Sequence, residues 1–446
     1  MATTSEFPEN RQVFRSETEE LFTNAQALFA GGQFDATVDA CEKVIARNRR
    51  YTEACVLAGE ACMLLAKIPE AEGYFQQAVN LEPKNGERYF DLGNSQFAQG
   101  DVDGAHQNYA MADRLGCSDE IRVKLYYLLG MIGESLSEFE TALAQYERIE
   151  SVPGANLEES LLRRIYIYVE TGDPQNAERL AVRLKRKNPD QFKYYQLLFQ
   201  TVLQQEDAGR AEGVLLQAEQ HCTLDVNTQA DIVFDRVWID CLRAQQEPDQ
   251  LEQYYDTAMG RLQELLHTED LPTETRCQAY IIMAQMDCKL ERVKDAIACA
   301  LSACECDPDD GPDETLKAMV EQAWVILVEC CLLTGEFEQA QQFAAQLKAS
   351  GNFIYQDHGY YSEAFAAKKR GDPEAGKLYH EAIAFFKKCL EEEPDDSIAA
   401  TYLVKAYADV GEYEKARALG KGLPADAWAV LQGYIQQMTE TVAMDS

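Results

Sequence analysis

The sequence predicts an all-α solenoid of about ten to eleven stacked helical hairpins ending in a C-terminal capping helix. Three observations carry that expectation: self-similarity at a fixed period, two apolar stripes at helical spacing inside each period, and small residues recurring where two helices would have to touch.

The period is clearest between Thr52 and Leu115. Sliding the stretch from Thr52 by 34 residues aligns Gly59 with Gly93, Ala71 with Ala105, Phe75 with Tyr109, Ala78 with Ala112 and Leu81 with Leu115. Each unit holds two stripes at three- and four-residue spacing with a short polar turn between them, usually containing Gly or Pro, so the unit reads as two antiparallel helices. Gly59 or Gly93 in the first helix and Ala71 or Ala105 in the second let the pair approach closely. Phe75 and Tyr109 are expected to fill space against the next hairpin.

These residues, with Pro83 closing the unit, resemble the tetratricopeptide repeat (TPR) signature: a small residue in the first helix, Ala and an aromatic in the second, and a terminal Pro. Further copies are placed at Ala142 with Tyr146, Ala177 with Ala181 and Pro189, and Ala211 with Leu215. Others follow at Ala296 with Ala300 and Pro308, Ala340 with Ala344, Ala382 with Phe386 and Pro394, and Ala416 after Gly411 and Tyr413. The resemblance implies a right-handed solenoid and, in function, a binding scaffold.

Departures from the period shape the expected organisation. The interval from Ala211 to Ala296 exceeds one unit, which predicts a degenerate unit around Trp238 to Leu266. The first hairpin, near Leu21 to Ile45, carries Thr37 where the signature wants Ala, and Ala425 to Met438 reads as a lone amphipathic helix. Both ends therefore read as caps. Polar, turn-forming clusters at His221–Thr228, Thr268–Thr275 and Asp307–Glu314 are either hinges or ordinary loops. The expected division is a flexible segment over 1–17, an N-terminal array over 18–225, a C-terminal array with degenerate units over 226–424, and a capping helix and tail over 425–446.

Composition limits the partners. The chain has 446 residues and a formal net charge of -35, from 76 acidic and 41 basic side chains. Such a chain repels phosphate backbones and anionic lipid, so neither nucleic acid nor membrane is an expected partner. The charge serves solubility, and it also suits steering of a basic or amphipathic protein or peptide. Met1 to Glu20 lacks the pattern of a secretory signal, no apolar run is long enough to span a bilayer, and the 14 cysteines sit at small-residue positions of helical patterns. A cytoplasmic location is expected.

No local motif for phosphate, dinucleotide, zinc or acyl-transfer chemistry occurs, so no catalytic residue, cofactor or metal is expected and the chain reads as a non-enzyme. None of the five histidines, His106, His221, His267, His358 and His380, stands at metal-ligand spacing from another. The densest thiol group, Cys299, Cys304 and Cys306 with Cys330 and Cys331 beyond it, reads as small hydrophobes on packed helices before a soft-metal or redox site. Glu391, Glu392 and Glu393, and Asp307, Asp309 and Asp310, read as solvated helix ends and turns. The basic run Arg183, Lys185, Arg186 and Lys187 reads as a helix C-terminus favoured by the dipole, with a docking spot for an acidic partner as the alternative.

In the family this chain resembles, first helices line a concave groove. Carried onto these repeats, the groove positions are Glu53, Val56, Glu60 and Met63, then Glu87, Phe90, Asn94 and Phe97, then Lys124, Tyr127 and Met131, then Leu162, Tyr166 and Val169. The expected partner-binding residues are Val56, Glu60, Met63, Phe90, Asn94, Phe97, Tyr127, Met131, Leu162, Tyr166 and Val169, with Phe90, Phe97, Tyr127, Met131 and Tyr166 as anchors. Large apolar groups left in water forgo roughly 1.5–3 kcal/mol each, so either a partner covers this strip or the superhelix packs it internally. The carboxylate clamp known in the family is not expected, because Val56, Glu60, Phe90 and Tyr127 stand around Asn94. The leading expectation is a peptide-binding adaptor; the alternative is a peptide- or metabolite-responsive sensor that changes superhelical shape.

Overall fold

The computed structural model describes residues 7–306 and 314–444, with side chains over 17–306 and 314–439. Every regular element among them is helical. The packing divides the chain between Gln205 and Glu206 into two units.

The first unit contains α1 (Phe7–Ala30), α2 (Phe34–Arg47), α3 (Thr52–Leu64), α4 (Ile68–Leu81), α5 (Gly86–Gln99) and α6 (Val102–Leu115). It continues with α7 (Asp119–Ser135), α8 (Phe139–Arg148), α9 (Glu158–Glu170), α10 (Pro174–Lys187) and α11 (Phe192–Leu203). Consecutive helices pair into hairpins from α1/α2 to α9/α10, with α11 packed on α10. Helix therefore starts at Phe7, inside the segment expected to be flexible over 1–17; residues 1–6 lie outside the described ones.

The second unit begins with α12 (Ala208–His221), which packs on α13 (Val226–Gln246). That pairing moves the boundary from the expected 225 to 205, so α12 belongs with the C-terminal array. Next come α14 (Leu251–Leu266), α15 (Thr273–Lys289), α16 (Val293–Cys304), α17 (Glu314–Thr334) and α18 (Phe337–Lys348). The unit ends with α19 (Phe353–Arg370), α20 (Ala375–Glu392), α21 (Ser397–Asp409), α22 (Tyr413–Gly420) and α23 (Ala425–Met444), the last packing on α21 and α22. The expected degenerate unit is a complete hairpin, α13/α14, whose first helix starts twelve residues before Trp238. Two of the three polar clusters are interhelical links: 222–225 joins α12 to α13, and 267–272 joins α14 to α15. Apart from Glu314, the cluster at Asp307–Glu314, including Pro308, Asp309 and Asp310, lies outside the described residues.

Side-chain volume explains why each hairpin closes. A Cβ on Gly59 would lie 2.5 Å from Cε1 of Phe75, one on Gly93 2.7 Å from Cε1 of Tyr109, and one on Gly130 2.5 Å from Cε1 of Tyr146. Phe75 and Tyr109 thus lie over the glycine of their own hairpin, where the sequence reading had them turned to the next one. In α9/α10 the volumes are exchanged: Ile165 takes the glycine's place and Ala181 the ring's, both fully buried. Val328 with Ala344 repeats the principle in the second unit, whereas Ala284 and Ala300 set two small residues at the same positions. At the last hairpin, Val404 stands opposite Gly420, and the Trp428 ring of α23 occupies the space over that glycine. Thr37 replaces the expected alanine without penalty because its hydroxyl donates to the Gln33 carbonyl at 2.9 Å.

Each turn within a hairpin of the first unit needs one residue in the left-handed region. Gly32, Gly100 and Gly172 supply it at φ 71°, 82° and 75°, while Ala66 and Ser137 adopt it at 56° and 58°.

Gly130→Ala tests the volume rule. Alanine favours helix by about 1 kcal/mol, yet its Cβ would meet a ring whose hydroxyl is held by Glu134, so the ring cannot swing aside. We expect a net loss of about 1–3 kcal/mol in the urea unfolding of the variant followed by far-ultraviolet circular dichroism.

Candidate functional site

First helices of the N-terminal unit enclose a groove of about 910 Å³. Its walls are Phe29 of α1; Glu60, Met63 and Leu64 of α3; Glu87, Phe90, Asp91 and Asn94 of α5; Ile121, Lys124, Tyr127 and Leu128 of α7; and Glu159 of α9. The turn that lets α3, α5 and α7 stand side by side is set by the glycine–ring contacts, so the groove depends directly on the packing of the hairpins behind it.

The structure places the predicted residues unevenly. Glu60, Met63, Phe90, Asn94 and Tyr127 line the groove. Phe90, however, is only 6% exposed and packs against Tyr109 at 5.9 Å between ring centroids, so it forms the floor of the groove and is not a free anchor. Asn94 is partly committed as well, its side-chain oxygen accepting the Tyr109 hydroxyl at 2.9 Å. Val56, Phe97, Met131, Leu162 and Val169 are half-buried and stand outside the groove walls, and Tyr166 is 57% exposed but also outside them. The groove is therefore shorter and closer to the N-terminus than the strip from Val56 to Val169. Unforeseen among its walls are Phe29, Leu64, Asp91, Ile121, Leu128 and Glu159. Leu64, 59% exposed, directly follows Met63 and lies one helical step around from it, so a strip two residues wide would have found it.

Polar contacts hold the apolar walls in place. Tyr127 donates to Glu159 at 3.0 Å and accepts from Arg163 at 3.3 Å, and Arg163 also pairs with Glu134 at 3.5 Å. Arg88 donates to Glu82 at 3.1 Å and to Asp91 at 3.3 Å. Glu60, by contrast, makes no hydrogen bond or ion pair among the described residues. Desolvation raises the Glu60 pKa against a weaker pull from Arg88. Desolvation also pushes Asp91 up to about 6, with the Glu60 charge adding to it and Arg88 opposing. Five carboxylates (Glu60, Glu87, Asp91, Glu120 and Glu159) face the groove with one amine, Lys124, which is bound to Glu120 at 2.7 Å. The groove is thus an apolar trough with a surplus of negative charge.

The other sequence candidates have ordinary surroundings. All 14 cysteines are free thiols, and burial raises the Cys330 pKa to about 12, with Cys288 at 3.5 Å adding to the rise. Arg183 pairs with Glu150 at 2.8 Å, and Lys185 lies over the Tyr195 ring at 5.2 Å. Among the described residues no three His, Cys, Asp or Glu side chains gather as a metal ligand set, and no helix is long and apolar enough to cross a membrane.

Antiparallel hairpins repeating at about 34 residues, each closed by a small residue against a larger one, define a helical-repeat protein. Residues 375–427, from α20 into α23, match the tetratricopeptide repeat family. No curated protein matches it. Similar solved structures include YrrB, described as a TPR protein with an unusual peptide-binding site (18% identity, 47% of this chain and 99% of that one, TM-score 0.36). A tetratricopeptide repeat protein from Parabacteroides merdae is 13% identical over 69% of this chain and 99% of its own, with a TM-score of 0.37. The Naa15/Naa10 complex bound to HypK-THB is 12% identical, covering 90% of this chain and 68% of that one, with a TM-score of 0.37. Nothing about this chain's own partner follows from these likenesses.

The raised Asp91 pKa has a testable sign. A carboxyl ordinarily titrating near 3.8 but held at about 6 binds its proton more tightly in the folded state, so its contribution to stability is present at low pH and lost as pH rises through 6. Relative to an Asp91→Asn variant, the wild type should lose about 2 kcal/mol between roughly pH 4 and pH 6.5 and then level off. Paired urea titrations across that range would show it.

Proposed function

We propose that the chain is a non-catalytic adaptor whose N-terminal groove binds a basic, amphipathic peptide segment of a partner protein. The observation that carries this reading is the Glu60 carboxylate, left without a hydrogen bond or ion pair beside the apolar surface of Met63, Leu64 and Tyr127. A lysine or arginine entering there would satisfy Glu60 and relieve its repulsion of Asp91, while the apolar side of the same segment would cover Leu64 and Ile121. Charge gives such a site its selectivity and its speed of encounter; the apolar floor supplies affinity.

The test uses a synthetic peptide of about five helical turns with one Lys face and one Leu face, free of histidine. Because Glu60 is exposed and makes no contact the fold needs, Glu60→Lys should leave helicity unchanged and weaken peptide binding at least tenfold, about 1.4 kcal/mol, by fluorescence anisotropy. Unchanged affinity in that variant would sink the assignment. Phe90 is unsuited to the test, since truncating a buried ring costs about 3–5 kcal/mol of stability on its own.

A further inference from the structure

The C-terminal unit contains a second acidic and apolar concavity, of about 680 Å³, remote in sequence from the first. Its walls come from the start of α19, with Phe353, Ile354 and Asp357, and from the α20–α21 junction, with Glu392, Glu393, Asp395, Asp396 and Ile398. Phe353, Ile354 and Ile398 are 63%, 56% and 40% exposed, a cluster of large apolar groups in water. Most of the acids have local duties or open solvent: Asp396 caps α21 by accepting from the backbone N–H groups of Ile398 and Ala399 at 2.9 and 3.0 Å, and Glu392 pairs with Lys388 at 3.6 Å.

Asp357 differs from all of them. It is 2% exposed, and among the described residues its Oδ1 has no hydrogen-bond partner. A buried carboxyl oxygen without a donor is costly. Burial and the nearby Asp396 push this carboxyl up to about 7, so near neutral pH it is part protonated and an arriving cation would favour the ionised form.

We infer that this concavity is a second docking site, taking a Lys or Arg side chain of a basic amphipathic segment onto Asp357 while the apolar side of that segment covers Phe353, Ile354 and Ile398. Charge complementarity selects the occupant: five carboxylates and no cationic side chain line the concavity. A bare metal ion suits it poorly, since no three of these groups converge as ligands. The site stands independently of the N-terminal groove.

The test uses the full chain with the Lys/Leu peptide and a control in which Glu replaces Lys. Glu60→Lys weakens the N-terminal groove, and Asp357→Asn is then added to it. Asparagine keeps the shape and removes the buried charge, so the double variant should melt no lower than its parent, which separates binding from folding. Glu60→Lys should retain a binding component with slowed amide exchange over 353–360 and 392–398. Asp357→Asn should weaken that component at least tenfold, and the Glu peptide should not bind. No protection in those segments, undiminished binding by the double variant, or equal binding of the Glu peptide overturns the proposal. In the wild-type chain, protection confined to those segments supports this site while refuting the N-terminal one.

Discussion

The seating of one side chain on the bare backbone of its partner helix is the contact on which the architecture depends. In α3/α4, α5/α6 and α7/α8 a ring fills the volume that a Cβ on Gly59, Gly93 or Gly130 would need, and the helices close until that volume is used. What repeats is the combined size of two positions and not the identity of either. Gly with Tyr, Ile165 with Ala181 and Val328 with Ala344 are three solutions to one spacing, and each keeps the hairpin closed while varying the sequence. Where the second helix ends in a glycine with no ring of its own hairpin to cover it, as at Gly420, the Trp428 ring of the capping helix fills the space.

This packing decides what the first helices present outward. Once Phe75, Tyr109 and Tyr146 are drawn inward, their hydroxyl groups, where present, need acceptors, and Asn94 and Glu134 provide them. Both acceptors are first-helix residues, and Asn94 also faces the groove, so part of its polar lining serves the fold. What remains uncommitted is small: Met63 and Leu64, the outer edge of Tyr127, and Glu60. A functional reading of the groove rests on this remainder.

The period, the small-residue positions and the helical hairpins are all legible in the sequence, because each follows from a steric demand that recurs every 34 residues. The irregular interval from Ala211 to Ala296 is legible as a departure but not in its form, since α13 is lengthened to 21 residues and its hairpin carries only Ala258 and Leu262 as reminders of the pattern. Exposure along the strip is not legible at all. Phe90 and Tyr127 occupy equivalent first-helix positions in adjoining repeats and each lies against the ring of its own hairpin, at 5.9 and 5.7 Å, yet Phe90 is buried as floor while Tyr127 is half-buried and its hydroxyl reaches Glu159. Asp357 is equally silent, being a single acid in a helical pattern whose burial depends on the approach of the α20–α21 junction.

The net charge of -35 acquires a finer meaning from the same distinction. An acid at a helix start or in an exposed ion pair is already satisfied, and a partner that replaces water or a local lysine there gains little. Asp101, Asp173 and Asp396 cap helices, and Asp91, Glu150 and Glu159 each accept from an arginine or a phenol. On the proposed reading, selectivity for a basic partner would not reside in those groups, however numerous they are. It would reside where a carboxyl has been desolvated without being paired, because there a cation recovers a cost that folding left standing. Asp357, buried with an unpartnered Oδ1, meets that condition in full, and Glu60, solvent-exposed but partly desolvated and unpaired, meets it in part; each lies beside exposed apolar side chains. On the proposed reading, the general acidity would draw a basic chain toward the surface, and these two points are where it would have something to gain by stopping.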